Sequence, residues 1–384
     1  GTSDIIPLMA AIERFLARKD PELAEGVGLL CNHTSFHFAS GQYLFQILSG
    51  RGSLRRLFLP EHGLFAELQD QVGLSQTNVY ESLGLKCQIV SLYGDSESTL
   101  AAAASHLKDL SALVIDIQDI GVRYYTFATT MRYAFETIHE AGLDLPVYVI
   151  DHPNPCGQSV EGIPLDATFE SFVGPVGLPH RHGLTIGQLA RFFHQELRAH
   201  FPLHVVAFDP EDEGLPFRIS PSPNMPGPYT HLVYSGQCLL EGTNISEGRG
   251  TTRPFEIFGA SYMEKLHSKR PPTAPGAVLR PVRFIPTFHK DAGKICYGYQ
   301  IHVTGPYHSL LHSLQLIRWI RSECHEFRWN EGPYEFRSDR PAIELLAGHR
   351  VLLSYLNGET DLPHAEAAIQ AGEHEWKNRI RSLS

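Results

Sequence analysis

At 384 residues the chain is too long for one small core, so two domains are expected. Apolar content of 42% with 19% charged residues describes an ordinary globular protein, and a formal net charge of −10 excludes the basic stripe of a non-specific nucleic-acid binder. No run of about 18 apolar residues predicts a transmembrane helix.

Short apolar runs of strand length occur at 27–31, 54–59, 87–92, 112–117, 146–150 and 203–208. Helical spacing lies between several of them, at 99–108, 126–140 and 185–198, the last opening on Thr185 as an N-cap. Such alternation predicts an α/β fold with a Rossmann-like, mostly parallel sheet and flanking helices. No GxGxxG follows the first strand, so no dinucleotide site is expected. After about residue 230 the pattern changes, with a strand-like run at 295–303 and helices at 308–323 and 364–382. These read as a smaller α+β C-terminal domain, giving domains over 1–230 and 231–384, with the proline-rich 221–228 segment near the boundary. The six cysteines contain no CxxC pair, which argues against a zinc knuckle or a disulfide scaffold. The chain starts Gly1-Thr2-Ser3, a start compatible with a removed signal peptide.

In an open parallel sheet, ligands bind beyond the carboxyl ends of the strands. Polar residues stand at successive proposed strand ends: Asn32, Glu61, Tyr93, Asp116 through Asp119, and Asp151. A shared pocket explains that succession better than chance does. The densest motif, DIQDIGVRYYTF at 116–127, holds two carboxylates, Arg123, Tyr124 and Tyr125. Arg123 suits a bidentate grip on a ligand carboxylate, or an ion pair with Asp116 or Asp119. The tyrosines offer ring faces to a sugar, or simply core packing. In DHPNP, Asp151 and Asn154 are rigidified by proline and serve either a ligand or an Asx turn. His182 precedes a helix, where it can meet a ligand or merely pack. The segment EGTNISEGRGTTRPFE (241–256), with Asn244, Glu247 and Arg249, combines charge with many glycines and reads as a loop lining an interdomain cleft.

These segments, with LFLPEHG, SLYG, PSPNMP (which carries Asn224), FIPTFHKDAGKICYGYQIHV and GPYEF, occur in one order. From about Gly26 to the C-terminus the chain resembles the bacterial exo-β-N-acetylmuramidase (NamZ-type) family. The resemblance implies a Rossmann-like domain and a smaller C-terminal domain with the active site between them. It also implies release of N-acetylmuramic acid from the non-reducing end of peptidoglycan or muropeptides. Glu61 matches the glutamate of the family's PEHG motif, with His62 beside it, and Tyr93 lies in SLYG as its partner. The sequence departs where Phe65-Ala66-Glu67-Leu68 replaces Gly-Arg-Gly-like residues, and where His152 replaces a frequent Arg.

Glycosidic cleavage needs an acid on the leaving oxygen and a group facing the oxocarbenium-like centre. Glu61 suits the acid role if a pocket partly desolvates it. The second role stays open among Asp116 or Asp119 acting on water or as nucleophile, and the sugar's own acetamido group steadied by Asp116, Asp119 or Tyr93. Arg123 or Arg249 would hold the lactyl carboxylate. Asn32, Tyr125, Asp151, Asn154, His182, Asn224, Asn244 and Glu247 complete the expected substrate contacts. No metal or other cofactor is required and no nucleic-acid partner is expected. The substrate favours a secreted or periplasmic location, with cytoplasmic recycling as the alternative. Two rival readings are a metal-dependent phosphoesterase, drawing on Glu61, His62, Asp116, Asp119, Asp151 and His182, and a non-catalytic glycan-binding protein.

Overall fold

The computed structural model describes residues 10–60, 85, 87–92, 98, 100–175, 177–209 and 217–383. Its N-terminal domain is organised by six parallel strands: β1 (Val27–Cys31), β4 (Leu54–Leu59), β5 (Gln88–Ser91), β6 (Ala112–Asp116), β7 (Val147–Ile150) and β8 (Leu203–Val206). A small hairpin, β2 (Phe36–His37) and β3 (Gln42–Tyr43), follows β1. Every residue of β1, β6 and β7 is buried. Continuous apolar runs such as VGLLC and VYVI therefore fit strands covered on both faces.

The two faces can be told apart residue by residue. Leu30, Phe58, Leu113, Ile115, Val147 and Val149 join one core, with α3 (Phe127–Glu140) and α4 (Ile186–Glu196). Leu29, Leu57, Val114, Tyr148 and Ile150 join the other, with α1 (Ala10–Leu16) and α2 (Leu44–Gly50). Alternation of period two assigns each side chain to its layer.

Spatial order is β5-β4-β1-β6-β7-β8. The chain builds outward from β1 through β4 to β5, then crosses back to β6 and continues to β7 and β8. The direction of winding thus reverses between β1 and β6, whose last residues, Cys31 and Asp116, are register partners. A crevice opens beyond the strand ends at such a switch point.

The C-terminal domain has a three-stranded antiparallel sheet in the order β10-β11-β9, from β9 (Ile257–Ala260), β10 (Ala277–Phe284) and β11 (Cys296–Val303). Around it lie α5 (Thr230–Gln237), α6 (Ser309–Glu323), α7 (Ala342–Ala347), α8 (Arg350–Asn357) and α9 (Leu362–Ile380). Helix α5 meets the start of α6 at Gly236, where an added Cβ would come within 2.1 Å of the Ser309 carbonyl oxygen, so only glycine fits. Helix α9 docks back on the first domain: the fully buried Trp376 donates its indole N–H to the His182 carbonyl at 2.7 Å. No helix among the described residues is long and apolar enough to cross a membrane.

The expected helix over 99–108 is a correction. Among the described residues of that stretch only a single 3-10 turn, Ala104–His106, forms. Its buried residues, Leu100, Ala102 and Leu107, do not share one helical stripe. Anchoring them to the core overrides the helix propensity of the alanines. Strands β9 and β10 were not anticipated. The half-exposed β10 carries Arg280, Pro281 and Arg283 in its interior, a pattern with little apolar alternation.

Candidate active site

Two groups of polar side chains stand out beyond the sheet. The first lies at the switch point. Leaving β1, Asn32 turns its side-chain oxygen onto the Thr34 N–H (3.0 Å) and hydroxyl (2.6 Å). Ser35 donates its hydroxyl to Asp116 Oδ2, and His152 Nε2 lies 2.6 Å from Asp116 Oδ1. Asp119 Oδ2 accepts the Gly121 N–H at 2.8 Å and stands 3.6 Å from His182 Nε2. His182 Nδ1 accepts the Leu184 N–H at 3.2 Å, which leaves its ring proton on Nε2, toward Asp119. Three buried polar atoms here, Asn32 Nδ2, Asp119 Oδ1 and His182 Nε2, have no hydrogen-bond partner among the described residues. That is capacity a polar ligand can use.

His152 was not singled out by its residue type, because a histidine after a strand is usually incidental. Its geometry makes it part of this cluster. Burial pushes the imidazolium pKa down, but the hydrogen bond and charge of Asp116, with the charge of Asp151, outweigh burial and raise it above the ordinary value. Such a group contributes stability in full below the unfolded histidine pKa of about 6.5, and that contribution is lost as pH rises through the raised folded value. His152→Gln is therefore expected to flatten the decline of melting temperature on the alkaline side of neutrality. Melts of both proteins across pH check this, and parallel curves would contradict it.

The second group lines a narrow cleft with walls from both domains: Tyr125, Asn224, Glu241, Arg249, Tyr334 and Glu335. Arg249 is paired with Glu241 (2.8 Å) and Glu247 (2.8 Å), and its guanidinium lies 5.0 Å from the Phe255 ring centroid. Tyr334 donates its hydroxyl to Glu241 Oε2. His33 Nε2, next to Asn32, lies 2.5 Å from the Ser220 carbonyl oxygen and so ties the switch-point loop to the segment bearing Asn224. The 241–256 loop was read as lining a cleft, and its Glu241 does so, whereas Tyr334 and Glu335 were not singled out as residues. The available signal was GPYEF, whose polar residues follow a proline in an otherwise unremarkable stretch.

Several expected contacts are engaged inside the protein instead. Arg123 is fully buried and donates to the carbonyls of Val173, Leu345 and Leu346. Leu345 and Leu346 lie in the last turn of α7, whose carbonyls lack helical partners, so Arg123 serves as the cap of that helix. Burial lowers its pKa to about 10. This corrects its expected role as a grip on ligand carboxylate. Asp151 accepts the Gly187 N–H (2.7 Å) and the Thr185 hydroxyl (3.0 Å), holding the start of α4. Asn154 forms an Asx turn, accepting the Cys156 N–H at 2.9 Å and donating to the Leu184 carbonyl at 2.9 Å. Asn244 staples its loop to 326–328, accepting from the Tyr262 hydroxyl and the Arg328 N–H and donating to the Glu326 carbonyl. Glu247 is enclosed by Arg249, Lys290 at 2.8 Å and His289 at 3.2 Å. Burial raises its pKa, but these cations more than reverse that and hold it well below the usual carboxylate range.

Glu61, His62 and Tyr93 lie outside the described residues. Among the described residues, no group of three or more His, Cys, Asp or Glu side chains is arranged to hold a metal ion.

Comparison with known proteins bears on the same segments. The N-terminal family model of exo-beta-N-acetylmuramidase NamZ matches residues 27–229, and the C-terminal model matches 232–384. The peptidoglycan beta-N-acetylmuramidase NamZ of Bacillus subtilis (strain 168) is 41% identical over 264 residues, covering 65% of this chain. The match spans 61% of that relative's length. Two solved structures of DUF1343 family proteins from Bacteroides fragilis NCTC 9343 share the fold. One has a TM-score of 0.73 at 23% identity, covering 97% of this chain and 96% of the other. The second has a TM-score of 0.70 at 24% identity, covering 97% of both chains. Because the two family models account for nearly the whole sequence in order, the chain belongs to the exo-beta-N-acetylmuramidase NamZ family.

Proposed function

We propose that the protein is an exo-acting glycosidase that releases N-acetylmuramic acid from the non-reducing end of peptidoglycan fragments. The observation that carries this reading is the cleft shared by the two domains, whose tyrosine, asparagine and arginine walls fall in the segments that the two family models match. In this reading residues 1–230 form the catalytic domain and residues 231–384 close the cleft.

Glu61 is the general acid on the leaving oxygen. It follows Leu59, the last residue of β4, by two positions in sequence, and β4 pairs with β1 at the switch point. Tyr93 assists it. Asp116 is held by Ser35 and His152, so its carboxylate is oriented but engaged. Asp119 retains one oxygen without a partner among the described residues. That makes Asp119 the better candidate to orient the attacking water or the sugar's acetamido group. Arg249 supplies the cation nearest the cleft for the lactyl carboxylate, with Tyr125 and Asn224 contacting the ring. Asn32 supports this arrangement from the end of β1, and His182 from the loop before α4.

The test is turnover of a chromogenic N-acetylmuramide beside the matching N-acetylglucosaminide, with anomeric configuration followed by proton NMR. The expected result is selective hydrolysis of the muramide that survives chelation. Binding without turnover would replace this reading with that of a glycan-binding protein, and activity abolished by chelation would point to metal-dependent chemistry.

A further inference from the structure

We propose that Glu335 is a sugar-binding residue, delivered into the cleft by a backbone turn that side-chain-bearing residues rarely adopt, and that it accepts hydrogen bonds from hydroxyls of the terminal sugar. The inference rests on the glycosidase reading and adds a residue to that same site.

The turn is defined by reciprocal backbone hydrogen bonds between Tyr334 and Arg337, each 2.9 Å. Its two central residues, Glu335 and Phe336, have φ of 46° and 64°. Two successive positive φ values are the mark of the primed hairpin turns, where Asn-Gly or Gly-Gly is the ordinary choice. A glutamate and a phenylalanine are strained there, because Cβ crowds the following carbonyl oxygen. Conformations of this kind persist where the surroundings over-determine them.

The surroundings here do so on both sides. Tyr334 is tied to Glu241, itself bound to Arg249. Arg337 grips Asp339 through two bonds of 2.7 Å and donates to the Glu170 carbonyl at 2.9 Å. Phe336 packs on Leu100 and Phe172. Phe336 is anchored in that small apolar cluster, while its neighbour Glu335 lines the cleft at 6% exposure. An Asn-Gly turn would relieve the backbone but would lose both the anchor and the carboxylate.

The chemistry fits a carbohydrate. An ionised carboxylate only accepts hydrogen bonds, and sugar hydroxyls are donors that suit it. Tyr125, Tyr234 and Phe255 stand around the same cleft and supply apolar faces for the ring. The positive charge of Arg249 is already shared between Glu241 and Glu247. Glu335 and Arg249 line the same cleft, where Glu335 reads hydroxyls while Arg249 meets the acid group of the sugar.

Steady-state kinetics of Glu335→Gln on the chromogenic muramide test this. The expected result is a KM raised roughly tenfold or more, with kcat within about threefold and an unchanged melting temperature. Glu335→Asp should recover part of the loss. An unchanged KM overturns the proposal, and so does a parallel fall of kcat, kcat/KM and melting temperature, which would make Glu335 only structural. If the wild-type protein does not hydrolyse the muramide, the glycosidase reading fails separately. Calorimetric binding of free N-acetylmuramic acid then decides: weaker binding by the variant sustains the role of Glu335, and equal binding, or none to either protein, overturns it.

Discussion

Glu61→Gln is expected to leave the protein folded and to lower kcat on a disaccharide substrate by about 10²- to 10⁴-fold, the usual contribution of a positioned general acid. The size of the loss should depend on the leaving group. A sugar hydroxyl leaves poorly as an alkoxide and needs a proton in the transition state, whereas a nitrophenolate leaves without one. The variant should therefore keep far more of its activity on the nitrophenyl muramide than on a muramyl disaccharide. An equal loss on both substrates would instead make Glu61 the group that faces the anomeric carbon. Near-wild-type rates on the disaccharide would remove it from the chemistry altogether. The wild-type pH profile gives a second check, since an acid must be protonated to act. Its limb on the alkaline side should disappear in the variant if Glu61 produces it.

The sheet was legible because its central strands are covered on both faces. VGLLC and ALVID are too uniformly apolar to be anything but buried, and their C-terminal polar residues mark where the crevice opens. The switch point between β1 and β6 was not legible, since strand order is decided by long-range pairing and not by any local pattern. The same difference separates the site residues. Asp116 and Asp119 were recognisable as carboxylates at a strand end, but a carboxylate at a strand end can equally hold the next helix, and Asp151 does so. Arg123 shows the limit most clearly. Its sequence neighbours are acidic and aromatic, yet two of the carbonyls it donates to lie 222 and 223 positions away in the other domain. Nothing local announces a helix terminus that distant. Glu335 escaped notice for the opposite reason: what singles it out is a φ angle, and sequence alone gives no hint of positive φ when glycine and asparagine are absent.

The largest expected loss of stability falls at Glu161, away from the proposed chemistry. This buried carboxylate pairs with Arg181 at 2.8 Å and accepts the Ser235 hydroxyl at 2.6 Å. It also accepts the backbone N–H groups of Ser309 and Leu310, the first two residues of α6, at 3.0 and 3.1 Å. One side chain thus joins the first domain to the start of a helix in the second, where orphan N–H groups and the helix dipole favour a negative charge. Removing it leaves Arg181 buried without its counter-charge and two helix donors unmet. Glu161→Ala is expected to cost about 3–5 kcal/mol, the range for breaking one side of a buried pair. For a chain of this size that corresponds to a fall in melting temperature of roughly 4–6 °C.

Replacing both partners with apolar residues, as in Glu161→Leu with Arg181→Met, should destabilise less than the sum of the single changes, because neither charge is then stranded. Strict additivity would mean that the two side chains act independently. The pH dependence has a definite sign. Burial raises the pKa of Glu161, but Arg181, His308 and the hydrogen bonds from Ser235 and Leu310 outweigh burial and lower it below the ordinary value. Its contribution is then present in full above the unfolded carboxylate pKa and is lost as pH falls through the depressed folded value. Acid melts of the wild-type protein should therefore show a loss of stability that Glu161→Ala lacks. If the two proteins lost stability in parallel, the joint between the domains would have to be held by something other than this carboxylate.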